Sequence, residues 1–188
     1  LSDVIGDPLD VIASGPTVPD PTTFSDALDV LERYGLTYKV PVNILRYLKE
    51  GSIGMHPETP KDGDPVFAGT RNILTGTNRI ALEAASARAS GMGYNTIIID
   101  SSLQGDVLKV SEYLIETALI YQYDKMIEKP VCLLYGGETT VKVTGNGAGG
   151  RNQHLALNTS FLLKDKPGIT LLAAGTDGND GPTDAAGA

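Results

Sequence analysis

Four glycines crowd into six positions at Gly145, Gly147, Gly149 and Gly150, and Arg151-Asn152-Gln153 follow directly. A loop with so few Cβ atoms can turn backbone N–H groups inward onto an anion, and a helix starting behind it adds the positive end of its dipole. Arg151 at that helix start opposes the dipole, so its placement points to gripping an oxyanion, phosphate or carboxylate. A second glycine pair, Gly136-Gly137, precedes Glu138 where the apolar run Val131 to Leu134 stops. A third signal is Gly175-Thr176-Asp177-Gly178-Asn179-Asp180-Gly181, where Asp177, Asp180 and Asp184 crowd among glycines. Clustered hard oxygen donors suit Mg²⁺ beside a nucleotide phosphate, with Asp177 foremost because it directly follows an expected buried strand. Turn formation is the competing role for Asp180 and Asp184. Asp3 sits as though just past a strand end, where catalytic or metal-binding carboxylates are common in α/β folds.

Gly145, Gly147 and Gly150 also satisfy G-x-G-x-x-G, which raises a dinucleotide-binding oxidoreductase. The match is weak. Residues Thr140 to Thr144 alternate polar and apolar, whereas the strand before such a loop is a nearly unbroken apolar run. The helix also opens Arg-Asn-Gln-His instead of tucking small apolar residues against a sheet.

The elements that must position these groups follow from periodicity. Residues 2 to 24 are rich in Asp, Gly and Pro and read as loop. Two short helices follow, one burying Ala27, Leu28, Leu31 and Tyr34 before Gly35, the other starting at Pro41 and ending at Gly51. His56 to Pro65 holds three prolines and reads as a linker, with His56 simply exposed. Thereafter strand and helix alternate. Asn72 to Leu74 is predicted as a short strand, with a Thr77-capped helix to Gly91 and a buried strand Thr96 to Asp100 after it. A helix from about Asp106, a strand from Val131, a hairpin strand Thr140 to Thr144, a helix through Leu163 and a strand Ile169 to Ala173 complete the series. The fold class is therefore α/β: a parallel or mixed sheet with βαβ crossovers and helices on its faces, preceded by a loop-and-helix segment of another α/β domain. Its carboxyl-end loops, Thr75 to Asn78, Ser101 to Gly105, Gly136 to Glu138 and Gly175 to Gly181, would gather on one edge.

Composition narrows the partners. A formal charge of −8 over 188 residues offers no basic stripe for nucleic acid or anionic membranes. No apolar run approaches the ~20 residues of a membrane helix. Cys132, the single cysteine, lies inside an apolar strand and reads as a buried small hydrophobe in a reducing compartment. The chain opens Leu1-Ser2-Asp3 without Met and stops inside an Ala-Gly stretch, which suggests a fragment.

Ser2-Asp3-Val4-Ile5-Gly6-Asp7, Ile12-Ala13-Ser14-Gly15-Pro16-Thr17, Gly136-Gly137-Glu138, Gly149-Gly150-Arg151-Asn152-Gln153 and Gly175-Thr176-Asp177-Gly178 through Thr183 together resemble the two-domain glycerate 2-kinase family, also called the MOFRL family. The resemblance runs from Ser2 to Gly187. It implies ATP-dependent phosphorylation of D-glycerate to 2-phosphoglycerate with Mg²⁺, in a cytoplasmic protein that is a monomer or homodimer. Because members have also been labelled hydroxypyruvate reductases, an NAD(P)-dependent reductase is the alternative, with a non-catalytic nucleotide- or anion-binding module as a third. By likeness, residues 1–55 are the C-terminal part of a first α/β domain, 56–68 the linker, and 69–188 a second α/β domain incomplete at its C-terminus, with the site in the cleft between them. Arg151 and Asp3 become the catalytic candidates, Asp3 as base for the substrate hydroxyl. Gly136, Gly137, Gly147, Gly149, Gly150, Asn152 and Ser14 become phosphate or substrate binders, and Asp177, Glu138 and Asp180 metal ligands. His154 departs from the acidic residue usual after Arg-Asn-Gln. The family's upstream glycine-rich loop and functional lysine have no counterpart here, so these residues alone are expected to be inactive.

Overall fold

The computed structural model describes residues 4–188. They fall into two compact units that divide between Thr75 and Gly76. The first unit begins in turns, with Asp7, Ala13, Ser14 and Gly15 at positive φ and a 3-10 turn at Ile12–Ser14. Helix α1 (Phe24–Arg33) starts at a capping box: the Thr23 hydroxyl accepts from Asp26 N–H while the Asp26 carboxylate accepts from Thr23 N–H at 2.8 Å. Helix α2 (Val42–Ser52) follows Pro41 and runs one residue past the expected stop at Gly51. Gly51 is there for space, because a Cβ on it would lie 2.4 Å from Phe24 Cγ. The Phe24 ring meets Tyr47 edge-on at 5.6 Å, and Tyr47 stacks on His56 at 4.3 Å. His56 is therefore held, not simply exposed: its Nε2 lies 2.9 Å from Glu50 Oε2.

The stretch expected to link two domains is hydrogen-bonded to the first unit. Asp20 N–H donates to Pro60 O at 3.0 Å, and the Thr59 hydroxyl donates to the Asp20 carboxylate at 2.8 Å. Hydrogen bonds from the Thr22 hydroxyl and N–H and from Thr59 hold the Asp20 carboxyl down to about 2. Asn72 to Leu74 is not a strand. Asn72 turns its side chain to Thr17 instead, accepting from the hydroxyl at 2.6 Å and donating to the carbonyl at 3.2 Å.

The second unit is α/β. Helix α3 (Asn78–Ser90) is capped by Thr77, whose hydroxyl accepts from Ile80 N–H at 3.2 Å. Strand β1 (Asn95–Asp106) leads into α4 (Val107–Tyr123), capped by Asp106, and the chain returns as β2 (Val131–Thr140). Strands β1 and β2 pair in parallel from Asn95↔Val131 to Asp106↔Thr140, so β1-α4-β2 forms one βαβ unit. The βαβ unit expected ahead of it, from Asn72–Leu74 through α3 to β1, is missing because Asn72–Leu74 is not a strand. Helix α5 (Arg151–Leu162) closes the series. Helix α3 packs on both strands, and α4 packs on both strands and on α5.

With two strands to shelter one another, the sheet stays half-buried at Thr96–Asp100 and Val131–Leu134, Cys132 included. The sealed core lies instead among Val107, Val110 and Leu114 of α4, Leu155 of α5 and Ala173. Each fully buried Val or Leu there contributes roughly 1.5–3 kcal/mol. Ser111, wholly buried, donates to Leu108 O at 2.8 Å and accepts from the Asn158 amide, which ties α4 to α5.

Two further expected strands do not form: Val141 to Thr144 and Ile169 to Ala173 are irregular. Ala173 and Ala188 exchange backbone hydrogen bonds of 2.8 and 2.9 Å, and Gly175 N–H donates to Ala186 O at 2.7 Å. The loop between is therefore tied at its neck.

Candidate functional site

Helix α5 starts without a cap of its own. Gly150, at its N-cap, has extended backbone (φ −142°, ψ −176°) and no side chain to receive the first-turn N–H groups. Those donors are met from a separate loop. Asp180 Oδ1 accepts from Asn152 N–H at 2.9 Å and from Asn152 Nδ2 at 3.2 Å, and Oδ2 accepts from Gln153 N–H at 2.8 Å. Asp180 is 2% exposed. Burial pushes its carboxyl up, but the hydrogen bonds from Gln153 and Asn152, backbone first, outweigh burial and leave it below the usual carboxylate range. The helix dipole favours the same ionised form. The network continues through Gln153 Nε2, which donates to Thr183 Oγ1 at 2.8 Å, while Thr183 Oγ1 donates to Asp180 O at 2.8 Å.

The glycines divide by what surrounds them. A Cβ on Gly150 would sit 2.3 Å from Asp180 Cγ, and one on Gly181 would sit 2.1 Å from Gly149 O. These two let the loops touch. Around Gly145, Gly147 and Gly149 an added Cβ meets nothing within 4 Å, and none of the three is at positive φ. Neither packing nor backbone geometry requires glycine there, so their bareness is free for a ligand. Gly136 and Gly137, expected in a loop, lie within β2, as Ser101 to Gly105 lie within β1. A Cβ on Gly136 would strike the Asn78 amide at 2.3 Å, and one on Gly137 the Leu103 carbonyl oxygen at 2.0 Å. Both strands continue because these glycines let neighbours come that close.

Arg151 is the first residue of α5, and its guanidinium pairs with the Glu138 carboxylate. Both side chains are about half exposed, 48% and 47%. A pair this wet is worth roughly 0–1 kcal/mol, so an incoming anion can compete for the guanidinium. Asp177 is exposed and accepts from Asn179 N–H at 3.2 Å, an Asx turn. Ser14 is exposed in the first unit at φ 64°, its N–H donating to Val11 O. Asp3 lies outside the described residues.

The expected metal trio is not assembled. Among the described residues no three of His, Cys, Asp and Glu come together as a cation site. Glu138 faces Arg151, both Asp180 oxygens face N–H donors, and Asp177 serves its own turn. What the structure does bring together is Arg151 with Glu138, and Asn152 and Gly150 with Asp180. Sequence reasoning gave no role to Gln153, Thr183 or Gly181. The readable signal was a helix opening on Gly-Arg with no Ser, Thr, Asp or Asn in place, which demands a donated cap.

Comparison with known proteins agrees along the whole chain. Residues 131–188 match the MOFRL family, and residues 1–49 match a domain of unknown function, DUF4147. D-glycerate 2-kinase of Thermotoga maritima is 41% identical over 188 residues, covering all of this chain and 42% of that protein. Glycerate 2-kinase of Pyrococcus horikoshii is 40% identical over 189 residues with the same coverage. The crystal structure of the Thermotoga maritima glycerate kinase superposes with a TM-score of 0.82 at 41% identity, over 100% of this chain and 42% of that one. This chain thus spans about 42% of the length of these relatives. Among the described residues no helix is long and apolar enough to cross a membrane. On these matches the chain is similar to the two-domain glycerate 2-kinases along its length, and its residues 131–188 match the MOFRL family.

Proposed function

We propose that the chain supplies the Arg151 and glycine-loop part of a cytoplasmic glycerate 2-kinase, which transfers the terminal phosphoryl group of ATP to D-glycerate. The observation that carries the reading is a half-exposed guanidinium on the residue that ends a glycine-rich loop, with Gly145, Gly147 and Gly149 in that loop bare for no reason a neighbour explains. Phosphoryl transfer asks a protein mainly for positioning and for neutralising charge on the moving group. The Arg151 fork suits either a phosphate or the glycerate carboxylate, exchanging Glu138 for the ligand. Backbone N–H groups of the open glycines suit the remaining phosphate oxygens. The first-turn donors of α5 do not join them, since Asp180 already occupies Asn152 and Gln153. Asp3 is the proposed base for the substrate hydroxyl, and Ser14 a proposed substrate contact. Mg²⁺ enters only by resemblance to the family: Asp177, Glu138 and Asp180 do not fit it as a three-ligand set, and no step assigned to these residues uses it.

The test is ADP release by the complete protein, with and without D-glycerate. Glycerate-dependent ADP release is expected. Binding of ATP and glycerate without transfer would leave a binding module, and glycerate-dependent NAD(P)H formation without ATP would leave the reductase.

A further inference from the structure

We propose that Asp180 is a positioning residue: a carboxylate cap, donated to α5 from a separate loop, that fixes where Arg151 and the glycine loop stand. Four observations converge on it. Gly150 leaves the helix start uncapped, and both Asp180 oxygens fill that place with contacts of 2.8 and 2.9 Å. The side chain is 2% exposed, so those oxygens have no open face toward a cation in solvent. Gly150 and Gly181 are the positions at which a Cβ would force the two loops apart. Gln153 and Thr183 lock the loop from behind, through the Gln153 amide and the Asp180 carbonyl. Arg151 lies between Gly150 and Asn152, both in contact with Asp180. Its Cα is therefore set by the cap, although its guanidinium touches Glu138 and not Asp180.

The role separates from metal binding by keeping an acceptor while removing the charge. Asp180→Ala removes the acceptors. Asp180→Asn keeps one neutral acceptor in the same place, which suits a helix start and not a hard cation. Amide hydrogen exchange at Asn152 and Gln153 in the full chain without metal reads the cap directly. Asp180→Ala is expected to speed that exchange roughly 10- to 100-fold, the range for hydrogen bonds to a charged group. Affinity for inorganic pyrophosphate, used as the anion probe, should weaken about tenfold as Arg151 loses its place. Asp180→Asn should retain much of the protection and of the affinity. The asparagine variant also serves if the alanine variant does not fold.

Unchanged exchange in Asp180→Ala would overturn the proposal. So would Mg²⁺ binding by the parent, followed by calorimetry, that is lost in Asp180→Asn although the exchange protection of Asn152 and Gln153 is retained. The inference rests on the kinase reading only through the pyrophosphate arm. A parent chain that ignores pyrophosphate counts against that reading, while exchange still decides the cap.

Discussion

Alanine at Gly150 and alanine at Gly147 should have opposite effects on stability. At Gly150 the backbone is extended and accepts any residue, so the whole effect comes from collision. The new Cβ would lie 2.3 Å from Asp180 Cγ, 2.4 Å from Oδ1 and 2.5 Å from its carbonyl carbon. Because a backbone atom is among the three, swinging the carboxylate aside is insufficient and the loop must retreat. Losing a cap costs about 0.5–2 kcal/mol, and a charge-assisted pair of contacts reaches the upper part of that range or beyond. Replacing glycine restricts the unfolded chain and returns about 0.4–1 kcal/mol. The net expectation is a loss of ~1–3 kcal/mol from the second unit. At Gly147 there is no collision and no positive φ, so only the unfolded-state gain remains, up to about 1 kcal/mol. Urea titration of the chain, followed by circular dichroism, measures both. An alanine at 150 as stable as the parent would refute the claim that glycine is there for Asp180. Destabilisation beyond ~1 kcal/mol at 147 would mean that the open part of the loop is packed after all.

Arg151→Ala should leave the melting temperature unchanged or slightly higher, since it removes a cation from a helix start and a half-exposed pair. In the complete enzyme it should lower kcat by ~10²–10³, and a large fall in melting temperature with a small loss of kcat would make the arginine structural. The folded-state pKa of Asp180 is depressed, so its ionised form stabilises the fold fully above the unfolded carboxylate range, and that contribution drains away as pH falls through the folded value. The difference in unfolding free energy between parent and Asp180→Asn should then be flat from about pH 5 to 7 and shrink on acidification below ~4; a difference that grew in acid would contradict the cap. Gly51→Ala places a methyl 2.4 Å from Phe24 Cγ and should destabilise the first unit by about 1–3 kcal/mol despite better helix propensity, as urea titration would reveal.

Helices were the legible part of the fold because capping and 3.6-residue periodicity are local. Thr77, Asp106 and Gly35 announce their ends, and α3, α4 and α5 lie where periodicity predicts them. Strands are a property of two segments, and the alternation at Val141–Thr144 and Ile169–Ala173 supplied only one. Alternating burial survives without a ladder in the second segment alone: Leu171 and Ala173 pack on the core and Leu172 is 82% exposed, whereas Val141 packs on it and Val143, which a strand would put on the same face, is 80% exposed. Glycine pairs misled in the same way. Gly136-Gly137 reads as a turn, but the absent side chains admit Asn78 and Leu103 from other elements, which no local pattern encodes. At the site, Arg151 beside bare glycines could be read from spacing. The partner of the helix start could not, because Asp180 lies 28 residues from Asn152.

The neck at Ala173 and Ala188 turns Asp180 into a tethered competitor. Even short flexible linkers hold a group at millimolar effective concentration, and a loop closed at its base and locked through Thr183 wanders less than a linker does. A free phosphate or carboxylate at ordinary buffer strength is therefore outcompeted at the amides of Asn152 and Gln153 by a carboxylate that cannot diffuse away. Exclusion from that spot is also direction. On the proposed reading an anion finds its remaining donors at Arg151 and Gly145–Gly149, so the internal carboxylate works as a fence that assigns the visitor its lane.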